Sequence, residues 1–258
     1  MNHWTGRLLS LAAPLLLTGC LWGPGKFASD LTLRKDGSFV LDYRGEIVLE
    51  NAEEMAKRPW KPTIAHCMKE DGSERPCTAD ELAQQKSAYL TKQKSDEESA
   101  KAFGIPGADE ASNRAFAAKL MKYAGWRSVA YRGNGVFDVD YHLEGRATQD
   151  FVFPIMPDSA IVIPFFTLRR RADGSVLVSA PALTGGMNMF GPMAQQMGGE
   201  GDMKGPPSRA QGRFTVHTDG QIVTNNSEDG PTPDPAGQAV HWDISPGSNK
   251  IPETLIRL

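Results

Sequence analysis

The sequence predicts an α+β fold built on a large, mostly antiparallel β-sheet, and three observations support this prediction. Apolar and polar residues alternate along several segments, most clearly over residues 136–144. Asp-Gly pairs such as Asp36-Gly37 separate segments of this kind and favour tight turns between strands. Within about residues 51–124 the apolar residues take helical spacing instead. We therefore expect a helical insertion whose flanking strands pair with each other.

Two helices are expected within the insertion. The pattern Thr78-Ala79-Asp80-Glu81 is a capping box, which predicts a helix that runs to about Lys94. A second helix is expected to begin near Asp109 and to end at Gly125, because glycine commonly terminates helices. Its apolar residues share one face and are expected to pack against the sheet: Phe116, Leu120 and Tyr123.

Most of the other periodic segments predict strands. A first hairpin is expected around Asp36-Gly37, and later hairpins around Asp173-Gly174 and Asp219-Gly220. The remaining strands are expected at residues 126–131, 136–144, 151–153, 160–168 and 240–244, with residues 253–258 closing the chain.

Residues 183–211 break this pattern and predict a long flexible loop rich in glycine and methionine. Five methionines fall within it: Met187, Met189, Met193, Met197 and Met203. Thioethers are soft ligands that suit Cu(I), and the spacing resembles the Met-rich stretches of periplasmic copper-handling proteins. An adaptable apolar loop that contacts lipid or a partner explains the methionines as well. A disordered segment is the third alternative, and the sequence leaves all three open.

One strand face groups residues that can carry chemistry. Asp138, Asp140 and His142 alternate with apolar residues, so they lie on the same face of the strand. Two carboxylates and an imidazole can bind a metal or transfer protons, but neighbouring strands would have to supply further ligands. The alternative is an ordinary solvated sheet face. His217 and His241 belong to two later strands and are expected to be ordinary sheet residues that can meet across the sheet.

The first twenty residues have the three zones of a secretory signal. A polar start with Arg7 is followed by an apolar run, residues 8–17, which ends in the small residues Thr18 and Gly19. The run is shorter than the about 20 residues that a membrane-spanning helix needs. Leu17-Thr18-Gly19-Cys20 resembles the lipobox of bacterial lipoproteins. An ordinary cleaved signal followed by a chance cysteine is the alternative.

The lipoprotein resemblance implies how the chain is processed and where in the cell it is located. Residues 1–19 would be removed as a signal peptide, and the Cys20 thiol would carry diacylglycerol, with a further acyl chain such as palmitate on its amino group. Two or three acyl chains make a stable anchor, whereas one gives only marginal binding. Leu21 follows Cys20 where an aspartate would favour the inner membrane, so the resemblance implies the outer membrane, facing the periplasm. Residues 20–28 are expected to be a lipidated tether, and residues 29–258 a single β-rich domain.

Two further cysteines remain once Cys20 is lipidated. Cys67 and Cys77 flank a turn-prone centre, and an even pair in an exported protein favours a disulfide. Free thiols, or a metal site that includes His66 and Met68, are the alternatives.

Composition and motifs narrow the function classes. The formal net charge is −3 and the chain has no long basic cluster, so nucleic-acid binding has little support. The sequence contains no G-x-S-x-G nucleophile elbow, no H-E-x-x-H zinc motif, no P-loop and no dinucleotide-binding fingerprint. We therefore expect a non-catalytic binding or envelope-interaction module that needs no cofactor and meets an envelope protein or lipid. Binding of lipid or a small hydrophobe between sheet and helix is one alternative, and copper handling through the Met-rich loop is another.

Overall fold

The computed structural model describes residues 22–49, 60–62, 64, 66–68, 72–102, 106–107, 109–156, 163–184 and 208–258. The chain divides into two compact units. Unit one lies within residues 50–113, and unit two comprises residues 21–49 and 114–258. The boundary at residue 113 falls inside a helix.

Strands dominate the described residues. In chain order they are β1 (Trp22–Leu33), β2 (Ser38–Leu49), β3 (His66–Met68), β4 (Glu74–Pro76), β5 (Trp126–Gly133), β6 (Val136–Arg146), β7 (Phe151–Phe153), β8 (Phe166–Arg170), β9 (Val176–Ser179), β10 (Gln211–Thr218), β11 (Gln221–Asn225), β12 (Thr232–Asp234), β13 (Gly237–Ile244) and β14 (Glu253–Arg257). The helices are α1 (Ala79–Ala102), α2 (Glu110–Leu120) and a 3-10 turn at Pro181–Thr184. The predicted α+β class is confirmed.

Unit two is built on a seven-stranded sheet in the order β12-β13-β10-β1-β2-β6-β5. Its pairs are antiparallel except β1 and β10, which run parallel from Lys26 opposite Gln211 to Leu33 opposite Thr218. The strands on either side of the helical insertion do pair, because β2 and β6 are neighbours along their whole length. That part of the prediction is confirmed.

A second sheet of unit two has five strands in the order β11-β14-β9-β8-β7. This arrangement corrects the predicted hairpin around Asp219-Gly220, because β10 belongs to the first sheet and β11 to the second. The Asp219 carboxylate accepts the Lys35 N–H at 2.7 Å, and the Thr218 hydroxyl accepts the Gly220 N–H at 2.9 Å. These side-chain hydrogen bonds stabilise the turn in which the chain passes from the first sheet to the second. An Asp-Gly pair suits such a turn as well as a hairpin turn, so the dipeptide alone does not distinguish the two.

Aromatic side chains fill the described space between the two sheets. Tyr43 of the first sheet is fully buried, and its ring centroid lies 5.4–6.1 Å from those of Phe153, Phe165 and Phe166. Phe166 in turn lies 4.6 Å from Phe214 of β10. Tilted and stacked aromatic pairs at these distances stabilise a core beyond the area they bury. Binding of a hydrophobe between sheet and helix stays a prediction.

The second half of α2 covers one end of the seven-stranded sheet. Phe116 is buried, with its ring centroid 5.0 Å from Trp22 and 6.1 Å from Phe137. Leu120 is also buried, so the predicted packing of this helix on the sheet is confirmed. The helix ends at Leu120, earlier than predicted, and Tyr123 lies in the following turn with 49% of its side chain exposed.

Unit one contains the short β3–β4 hairpin and the helix α1. The capping box is present as predicted: the Glu81 carboxylate accepts the Thr78 N–H at 2.7 Å, and the Thr78 hydroxyl accepts the Glu81 N–H at 3.3 Å. The helix continues to Ala102, beyond the predicted end near Lys94. In the sequence of this last part Glu97 precedes Lys101 by four residues, a spacing that favours continuation of a helix.

The expected tether at residues 20–28 is corrected by the structure from residue 22 onward. Trp22 is buried and already pairs with Leu49 in the sheet. Gly25 serves close packing, since a Cβ there would lie 2.8 Å from the Cβ of Glu46. A glycine- and proline-rich segment that suggested a linker is therefore the beginning of β1, and the domain starts at least seven residues earlier than residue 29.

Candidate functional site

The predicted Asp138, Asp140 and His142 do share one face of β6, which is the outer face of the seven-stranded sheet. Each has a different partner. The Asp138 carboxylate accepts a hydrogen bond from Arg132 at 2.6 Å, and that of Asp140 lies 3.5 Å from the Arg44 guanidinium. His142 contacts Asp42 through Nδ1 at 2.7 Å and Glu144 through Nε2 at 3.4 Å. The three side chains therefore have separate partners and do not converge on one point.

Asp140 is the least satisfied member of this group. Its Oδ1 atom is buried and has no hydrogen-bond partner among the described residues. The other carboxylate oxygen faces Arg44, whose side chain is largely exposed. An orphaned carboxylate oxygen costs stability, since it loses hydration without compensation. The ion pair with Arg44 thus places a cation beside a carboxylate that is 33% exposed.

A row of acids and histidines crosses the centre of the same outer face, and the sequence did not reveal it. Asp30 of β1 lies opposite Asp42 of β2, and Asp42 lies opposite His142 of β6. His217 of β10 contacts Asp30 through Nε2 at 3.4 Å and Asp234 through Nδ1 at 3.1 Å. Each of these two histidines thus contacts two carboxylates, His142 those of Asp42 and Glu144 and His217 those of Asp30 and Asp234. The acid–histidine row is defined here as His142, Asp42, Asp30, His217 and Asp234.

His217 and His241, which were expected to be ordinary sheet residues that can meet across the sheet, are diagonal neighbours on two paired strands. His217 lies opposite Ala239, whereas His241 lies opposite Thr215, one step along the same face. His241 contacts the Asp229 carboxylate at 3.2 Å. The two histidines therefore contact different carboxylates.

The two carboxylates that contact His217 favour its protonated, positively charged form. An imidazole donates to a carboxylate at each nitrogen only when it is protonated. The hydrogen bond to Asp30, with smaller contributions from Asp234, raises the pKa of His217 above its ordinary value against the opposing effect of burial. The cationic ring also separates the two facing acids of the row from Asp234. The row can therefore present a fixed pattern of charges, in which His217 keeps its proton to a higher pH than an ordinary histidine does.

This geometry predicts a pH-dependent stability of unit two. The stabilisation from His217 is complete below its pKa in the unfolded chain and is lost as pH rises through the higher pKa of the folded state. We expect the free energy of unfolding to fall by up to about 1 kcal/mol over that range, the magnitude of a partly exposed ion pair. Urea unfolding at several pH values measures it. His217→Gln should remove this pH dependence, and an unchanged pH profile in that variant would refute the assignment.

The described residues contain one cluster with metal-ligand spacing, formed by Cys67, Cys77 and Glu81 within 4.8 Å of one another. The two sulfurs are joined in a disulfide, with the Cα atoms 4.9 Å apart. The predicted disulfide is thereby confirmed. A disulfide offers no thiolate to a metal, and His66 and Met68 are exposed residues of the same hairpin. The alternative of a metal site at Cys67 and Cys77 therefore lacks its two thiolate ligands.

A polar pair beside the disulfide connects the β3–β4 hairpin to α1 in unit one. Arg75, between the two cysteines, forms a two-bond pair with the Glu81 carboxylate, and both bonds measure 2.7 Å. This pairing, with the bonds from Thr78, lowers the pKa of Glu81 to about 2. The stabilisation from the pair is complete above the ordinary pKa of glutamate and is lost as pH falls through about 2. The hairpin is thereby tied to the first turn of α1.

Removing the disulfide should loosen this hairpin selectively. The double variant Cys67→Ser/Cys77→Ser loses a cross-link over 10 residues, which corresponds to about 3 kcal/mol from the entropy of loop closure. Hydrogen exchange should show faster exchange of the β3–β4 amides, with unit two unchanged. The variant Met68→Ser is the control, because Met68 lies in the same hairpin but is exposed. Equal exchange in the double variant and wild type would contradict the predicted role.

Several predicted residues lie outside the described part of the chain. The lipobox and Cys20 precede residue 22, and Met187, Met189, Met193, Met197 and Met203 fall within residues 185–207. Copper binding by these methionines therefore stays a prediction. Among the helices that the structure describes, none combines the length and the apolar character needed to cross a bilayer.

Comparisons with known proteins add little to this account. No family model matches the chain, and no curated protein matches it. Among solved structures, the chain is similar to the folded domain of the LppM protein of Mycobacterium tuberculosis, determined by NMR. The two are 12% identical, the match covers 91% of each chain, and the TM-score is 0.29. A TM-score of this size supports no conclusion about the fold or the function of the present chain.

Proposed function

We propose that this chain is an exported bacterial lipoprotein, anchored through Cys20 in the outer membrane and facing the periplasm. The observation that carries the proposal is Leu17-Thr18-Gly19-Cys20 at the end of a short apolar run. The disulfide between Cys67 and Cys77 supports it, because such bonds persist in oxidising compartments outside the cytosol. That pairing leaves Cys20 as the remaining cysteine of the three in the chain.

Unit two is proposed to act as a non-catalytic binding module for an envelope protein. The polar side chains of its outer face support this role, because most of them are engaged with neighbouring side chains on the sheet surface. Arg213 and Asp243, for example, form two bonds of 2.7 and 2.8 Å while both side chains remain more than half exposed. A rigid pattern of paired charges suits recognition by electrostatic complementarity, which contributes specificity more than affinity.

In-cell cross-linking tests the binding role. Intact cells that express the wild-type chain are treated with an amine-reactive cross-linker, and adducts are identified after affinity purification. We expect a discrete adduct with an envelope protein. The charge-swapped variant Arg213→Asp/Asp243→Arg keeps the ion pair but reverses the local charge pattern, so its adduct should weaken several-fold at unchanged stability. No discrete adduct with the wild-type chain would contradict the proposal.

A further inference from the structure

The anchor and the folded domain are almost adjacent in the chain. Leu21 is the single residue between Cys20 and Trp22, the first residue of β1. Two residue steps of fully extended chain span at most about 7 Å between Cα atoms. Wherever the lipid holds Cys20, the start of β1 must therefore lie within that distance.

Trp22 cannot be released to lengthen this connection without breaking up the fold. Its side chain is 7% exposed, with ring centroids 5.0 Å from Phe116 and 5.8 Å from Phe137. Its backbone pairs with Leu49, and the Leu49 N–H donates to the Gly135 carbonyl at 2.8 Å. Pulling Trp22 away would expose an aromatic cluster and open the ladder between β1 and β2.

The same end of unit two carries the tip of the β5–β6 hairpin. Gly133 pairs with Val136, and Asn134 between them is exposed with φ of 52°. On the other side of β1, the ladder with β10 begins only at Lys26, four residues after Trp22. At about 3.3 Å per residue, β1 extends about 13 Å past the start of β10. We call this the Trp22 end: residues 22–25, 47–49 and 133–137.

From these distances we infer that the Trp22 end lies against the headgroup layer of the membrane that holds the lipid on Cys20. This inference rests on the lipidation proposed above. The headgroup layer is about 5–7 Å thick on each side of a bilayer, similar to the reach of the connection from Cys20. The hairpin tip, Gly133-Asn134-Gly135, is small and polar, which suits contact with headgroups and not insertion into hydrocarbon.

Depth-dependent quenching tests this orientation. The mature lipidated chain is reconstituted into vesicles of phosphatidylethanolamine and phosphatidylglycerol that contain headgroup-nitroxide lipids. A fluorescent label is attached through Asn134→Cys at the hairpin tip or, as the control, through Lys35→Cys in the exposed turn between β1 and β2 at the opposite end of β1. The native cysteines do not react, since Cys20 would be a thioether and the other two are joined. Arg132→Cys replaces Asn134→Cys if the latter fails to fold.

We expect several-fold stronger quenching at Asn134 than at Lys35. Insertion of eight Gly/Ser residues after Leu21 should reduce the quenching at Asn134 while leaving co-sedimentation with vesicles unchanged. Equal quenching at both positions, or quenching that the insertion does not alter, would overturn the inference while the anchor still holds. A chain that does not sediment with vesicles at all would overturn the proposed lipidation, so the two failures are distinguishable.

Discussion

Replacing Tyr43 with alanine is expected to remove about 3–5 kcal/mol from the free energy of unfolding of unit two. Tyr43 lies at the centre of the aromatic core, where it is fully buried among Phe27, Phe153, Phe165 and Phe166. Truncation would leave a cavity that aromatic rings cannot easily collapse to fill. Since domains are commonly stable by only about 5–15 kcal/mol, this one change removes a large share.

The variant Tyr43→Phe separates packing from hydrogen bonding at the same position. The Tyr43 hydroxyl donates to the Glu46 carbonyl at 2.7 Å, and burial raises the pKa of Tyr43 well above its ordinary value, so it stays a neutral donor. Loss of this bond alone should cost about 1 kcal/mol. Denaturant unfolding monitored by tryptophan fluorescence gives both values. Similar losses in the two variants would mean that the ring itself contributes little, contrary to the described core.

Replacing Cys20 with alanine is expected to shift the chain from the membrane fraction to the soluble fraction of the envelope. The physical reason is that each buried methylene contributes about 0.8 kcal/mol, so losing two or three acyl chains removes essentially all membrane affinity. The result is a change from nearly complete to negligible membrane association.

Fractionation of cells that express each variant measures this shift. The double variant Cys67→Ser/Cys77→Ser is the matched control, because it also removes cysteines but keeps Cys20. Its membrane association should equal that of the wild-type chain. A Cys20→Ala variant that still sediments with membranes and resists high salt would show that something other than the lipid holds the chain there.

Local signals predicted the elements of the fold better than their assembly. Alternation along β6 identifies which side chains share a face, because strand geometry fixes that at the level of single residues. It does not identify the neighbouring strand, so the division of the chain between two sheets was not predictable from it. The Asp219-Gly220 pair illustrates this limit of local signals, because the same dipeptide suits a hairpin turn or a crossing between sheets. The packing of Gly220 against Ile256 and Thr218 determines which of the two forms.

The acid–histidine row was missed for a related reason. Asp30 and Asp42 face each other across the predicted β1–β2 hairpin, but His142 follows Asp42 by 100 residues, and only the register of β2 and β6 brings it beside them. His217 joins them through the one parallel pairing of the seven-stranded sheet. The start of β1 was missed because glycine and proline suggested a linker, whereas the buried Trp22 among them was the informative residue.

The intact mass of the chain purified from bacterial membranes tests the central claim most directly. The proposed anchor predicts a polypeptide that begins at Cys20 and carries the added mass of diacylglycerol, with or without a further acyl chain, and an N-terminal peptide that contains all of this added mass. The disulfide should account for a loss of two hydrogens between Cys67 and Cys77. A chain that retains residues 1–19, or one that begins at another residue with an unmodified Cys20, would contradict the account.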